Sequence, residues 1–160
     1  MMKRRRPRQA PLSNDMEHSF IEALLPMHPK LVHFPIGLML SAACMQALGL
    51  GFKKEAWRSA AWVMFVLAAI TMPMAGLAGL WEENRLHLRH PVLDEHKFYA
   101  FSAMGSTLAA GIVLWSLKSG NNKVFQWVFL APVLAISFLL VSAAHEGGEM
   151  VYEYGVGVSR

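Results

Sequence analysis

Four stretches of this chain are apolar on every side. They run roughly over Leu31–Gly51, Trp57–Trp81, Phe98–Leu117 and Val124–Ala144, and Arg58 is their single Asp, Glu, Lys or Arg. Each is close to the about 20 residues that cross a bilayer. A soluble helix keeps polar positions at a 3.6-residue period, and these stretches do not. The pattern therefore predicts an all-α, integral membrane four-helix bundle. Phe52–Ala56 and Lys118–Lys123 are short connections that force antiparallel neighbours. Glu82–Lys97 is a longer connection. Four crossings place both chain ends and that longer connection on one side, the terminal side. No repeat with a period of 20–50 residues is evident.

Ahead of the first span, Asn14 followed by Glu17 reads as a capping box, and Phe20, Ile21, Leu24 and Leu25 share one helical face before Pro26. This predicts a short N-terminal interfacial helix lying along the membrane. Two parts result: residues 1–26, a basic arm plus that helix, and residues 27–160, the four-helix domain. Trp57, Trp62, Trp81, Trp115 and Trp127 fall near span ends, as an aromatic belt places them. Ala103, Thr107, Ala110 and Gly111 form a small-residue face suited to close helix contact. Pro73 should kink the second span.

Composition agrees with this picture. Of 160 residues, 54% are hydrophobic and 16% charged, against about 25% charged in typical soluble domains. A single cysteine, Cys44, excludes an intrachain disulfide framework and a CxxC zinc site. The net charge of +4 looks like a nucleic-acid footprint until it is located. Lys3, Arg4, Arg5, Arg6 and Arg8 supply five charges, and +4 less five leaves −1 for the rest. The basic character belongs to the tail, a solvated arm or a contact for anionic headgroups. No nucleic-acid partner is expected. The arm has no apolar h-region after it, so it does not read as a signal peptide. Lys53, Lys54, Arg58, Lys118 and Lys123 in and near the short loops favour those loops in the cytoplasm and the termini outside.

Histidine is where chemistry enters. Six of the seven histidines (His28, His33, His87, His90, His96 and His145) map near the membrane on the terminal side, and the short loops have none. His33, His96 and His145 come from three different spans at similar depth. Ionisable groups in spans are costly and point to function. Two imidazoles on facing helices suit the axial positions of a b-type haem. Phe34, Phe98, Tyr99 and Phe101 would line its slot, and Lys30, Arg85, Arg89 and Lys97 would hold its propionates. Bare copper or zinc is the alternative, with Glu82, Glu83, Glu146 and Glu149 as further ligands. The Met72-Pro73-Met74 triplet is soft enough for copper, but methionines in an apolar chain mostly pack. Gly147-Gly148 reads as a helix C-cap. After it, Tyr152 and Tyr154 are expected to fold back on the histidine face. No GxSxG, HExxH, GxxxxGK or GxGxxG is present, so hydrolytic and nucleotide chemistry has no support.

The segment HPKLVHFPIGL from His28 to Leu38 resembles the opening motif of a four-span bacterial membrane family, domain of unknown function 2231 (DUF2231). HKFYA at His96 is similar to its third-helix motif, and AHEGGEMVYEYGVGV from Ala144 resembles its closing pattern. The resemblance covers roughly residues 27–158. It implies a bacterial inner-membrane, multi-pass protein whose motif histidines are His28, His33, His96 and His145. Relatives fused to cytochrome c-like or Rieske-type domains imply a redox partner of that kind.

Together these features predict a haem-binding electron-transfer protein rather than a stand-alone enzyme. His33 and His96 are the expected axial ligands, with His145 as substitute for either. His28 is five residues from His33, about 140° around a helix, and is expected at a propionate or a second site. The competing expectations are a cofactor-free structural subunit of a larger membrane complex and a copper- or zinc-binding membrane protein.

Overall fold

A computed structural model describes residues 27–87, 89–118 and 123–156. The expected basic arm and interfacial helix fall on residues outside that range. Four helices carry the described chain: α1, Met27–Gly51; α2, Glu55–Leu86; α3, Pro91–Lys118; α4, Lys123–Tyr152. All four are long and apolar enough to cross a membrane. α1 packs most extensively on α2 and α3 on α4, while narrower α1–α4 and α2–α3 contacts close the ring. The molecule is two helical hairpins laid side by side.

The buried rows explain the packing. α2 buries Ala61, Phe65, Ala68, Met72 and Ala75; α4 buries Phe129, Val133, Ile136, Leu140 and Ala143. Both rows alternate steps of three and four residues, the spacing that keeps one helix stripe against its neighbours. The outer faces are equally apolar. Ile112 is 75% exposed and Phe138 69%, an arrangement that only lipid accommodates. The small face of α3 does its expected work: Ala103 and Thr107 are buried, and Thr107 Oγ1 lies 3.6 Å from Met72 Sδ of α2. Trp62 departs from the belt. It is buried, with its ring centroid 5.7 Å from Phe65 and 5.5 Å from Phe129.

At the α1–α2 turn, Lys53 takes a left-handed φ of 54° while the Lys54 N–H donates to the Gly49 carbonyl at 3.0 Å. This is a helix-ending motif usually made with glycine. Gly49 is needed for another reason: a Cβ there would stand 2.6 Å from Arg58 Cγ.

On the terminal side the helices outrun the apolar stretches. α2 continues to Leu86 and α3 already begins at Pro91, so the long connection shrinks to residues 87–90. Hydrocarbon thickness limits the apolar stretch but not the helix, and α2 with 32 residues is about 48 Å long against about 30 Å of hydrocarbon. Near its end Glu82 to Arg85 are polar, as suits a helix end beyond the hydrocarbon. Gly147-Gly148 likewise does not cap α4, which runs on to Tyr152. The end comes at Gly155, with φ 66° and the Val156 N–H donating to Met150 O at 2.9 Å.

Candidate cofactor site at one end of the bundle

Two histidines reach across the terminal end of the bundle in the same way. His28, in the first turn of α1, places Nδ1 2.9 Å from Ala75 O of α2. His96, in the second turn of α3, places Nδ1 2.8 Å from Ala143 O of α4. A carbonyl oxygen only accepts, so in each ring Nδ1 carries the proton and donates. In the neutral imidazole this leaves Nε2 with its lone pair, the state in which histidine binds a metal. The carbonyl behind each ring is the outer partner that orients such ligands.

Each ring also lies against a glycine one turn beyond its carbonyl. A Cβ at Gly79 would meet the His28 ring at 2.9 Å, and a Cβ at Gly147 would meet the His96 ring at 3.4 Å. The two rings, from different hairpins, meet edge to face. Their centroids are 5.9 Å apart and their planes lie at 88°.

The other histidines are placed differently. His33 is exposed and bonds within its own helix, Nδ1 to Pro29 O at 2.6 Å. The histidine brought to His96 is therefore His28. His145 is exposed beside Glu146 and Glu149, with one ligand atom from each within 4.8 Å of the others. His87 is the left-handed C-cap of α2, with φ 50°. His90 Nδ1 accepts from the Val92 N–H at 3.3 Å, and its ring centroid lies 4.3 Å from that of Tyr154. Tyr154 thus does fold back onto a histidine of this face, whereas Tyr152, the last residue of α4, is 89% exposed.

Among the expected propionate cations, Lys30 and Arg89 are exposed at this end. Lys97 Nζ is engaged with Glu83 at 2.8 Å and Asp94 at 3.5 Å, tying α3 to α2. The Arg85 guanidinium lies over the Trp81 ring at 5.7 Å. Of the aromatics expected around the site, Phe34, Phe98 and Phe101 face outward instead. Glu82 is closer to the interior, with Oε2 buried and without a hydrogen-bond partner. The methionine triplet does not converge, since Met72 is buried and Met74 exposed.

Reading along the sequence missed Gly79 and the two carbonyls. The signal was present as spacing: each histidine is 47 residues from its acceptor.

A family model described as "Predicted membrane protein (DUF2231)" matches residues 24–160, and the chain belongs to that family. Neither a curated protein nor a solved structure matches it.

Proposed function

We propose that this four-span membrane protein is an electron carrier that holds a b-type haem between His28 and His96. The observation that carries this reading is the edge-to-face pair of imidazoles, each with its Nδ1 proton fixed on a backbone carbonyl. When bound, the haem would supply one-electron chemistry, and the protein would supply ligation, burial and tuning. His28 and His96 would hold the iron. Lys30 and Arg89, exposed at this face, would meet the propionates, while Lys97 serves Glu83.

The site lies at the face that carries the termini. A partner would exchange electrons there, and a cytochrome c-like or Rieske-type protein fits that role. With the lysine-bearing short loops in the cytoplasm, this is the periplasmic face of a bacterial inner membrane.

A second reading is a copper or zinc protein. Its support is His145, Glu146 and Glu149 converging at the end of α4.

A reduced-minus-oxidised absorption spectrum of the protein purified from haem-sufficient cells tests the proposal. A sharp α-band should appear, vanish in His28→Ala and His96→Ala, and survive in His33→Ala and His145→Ala. Haem-free protein with stoichiometric copper or zinc would replace this reading with the second. Folded protein with neither would make the histidines interhelical staples of a structural subunit.

A further inference from the structure

The site-forming residues recur at one interval. His28 and His96, Ala75 and Ala143, and Gly79 and Gly147 are each separated by 68 positions. So are the first residues of α2 and α4, Glu55 and Lys123. The buried row of α2 becomes the buried row of α4 under the same displacement. Gly37 and Gly105, 68 apart again, both face open space. The packing obeys the same exchange: α1–α2 maps on α3–α4, and α1–α4 maps on α3–α2.

From this we infer that the chain is a tandem pair of one helical hairpin, that the ligand site lies on the pseudo-two-fold axis between the copies, and that Gly79 is its positioning residue, with Gly147 at the matching place in the second copy. Each hairpin contributes one module. A histidine from the first helix donates to a carbonyl of the second, and a glycine one turn on lies against the ring. Parallel repeats about an axis along the membrane normal are a known way to build a shared membrane site. The ring centroids are 5.9 Å apart, close enough for one ligand to meet both imidazoles. The chemical identity of that ligand rests on the haem reading; the two-fold geometry does not.

The modules differ in one respect. At 2.9 Å a new Cβ on residue 79 must push the His28 ring away, and at 3.4 Å a Cβ on residue 147 is accommodated by a small shift of His96. Loss of an outer orienting contact typically costs about 10–100-fold in metal affinity.

The test uses the full-length protein with ¹⁵N-labelled histidine in lipid nanodiscs. In the unsubstituted protein both His28 and His96 should report the same tautomer, protonated at Nδ1. Gly79→Ala should abolish that signature at His28 and leave it at His96. Gly147→Ala, Gly37→Ala and Gly105→Ala should leave both in place. Haemin added to the same samples should bind one per chain, with affinity lowered at least about tenfold by Gly79→Ala and little changed by the other three. If Gly79→Ala matches Gly37→Ala in both readouts, the positioning role is overturned. Two independent haemin equivalents, one per histidine, would overturn the shared site. If haemin does not bind at all, the haem reading fails while the tautomer results still decide the role of the glycines.

Discussion

The two ends of this bundle are held together by different forces. Near the short loops, Trp62, Phe65, Phe125 and Phe129 fill the interior with ring centroids 5.5–6.0 Å apart. The fully buried Gln46 donates to the Gln126 carbonyl at 2.6 Å, joining α1 to α4. Near the termini the corresponding interior holds two imidazoles, two glycines and two carbonyl acceptors. The aromatic end works by dispersion, the main source of helix association where lipid is as apolar as the side chains. The histidine end uses one nitrogen of each ring to tie the two helices of a hairpin. Under the proposed function the other nitrogen serves the ligand, and stability and chemistry then belong to opposite ends of the same four helices.

This division is open to test. Phe129→Ala should have the largest effect on stability, about 2 kcal/mol, the cavity share of the about 3–5 kcal/mol this change costs in a water-soluble core. It should leave the His28 and His96 tautomers unchanged; unfolding in mixed micelles, read beside ¹⁵N histidine spectra, checks both. A tautomer change in that variant would show the ends to be coupled. His96→Ala should cost less, about 0.6 and at most about 1.7 kcal/mol, the range measured for hydrogen bonds between membrane helices. Its loss of the reduced-minus-oxidised band would nevertheless be complete, reversing the ranking of the two ends. The smallest effect is expected from Lys97→Met, a stability change smaller than that of either other variant, because the Glu83 pair is partly solvated and screened. Raising the salt concentration should shrink the difference between that variant and the unsubstituted protein.

Hydropathy alone made the four spans legible, because a helix apolar on all sides has no other stable surroundings. It could not mark their true ends. Trp81 to Leu86 continues α2 with polar residues that headgroups and water satisfy. Gly147 shows a second limit. Glycine serves as a helix terminator and as a place of close approach, and only the His96 ring lying against it tells the two apart. The histidine face was legible as a side of the membrane. The choice between His28 and His33 depended on which face of α1 meets α2, and an all-apolar helix does not announce this. The duplication escaped notice because so few of the paired positions keep the same residue; burial and hydrogen bonding preserve it where side-chain identity does not.

The number of crossings in the repeating hairpin has a further consequence. A unit with two crossings returns the chain to the side from which it started, so a tandem copy enters the bilayer the same way up. His28 and His96 then arrive in the same leaflet, at one depth, without any adjustment. A unit of one or three crossings would invert its copy and leave its two histidines facing different compartments, a membrane's width apart.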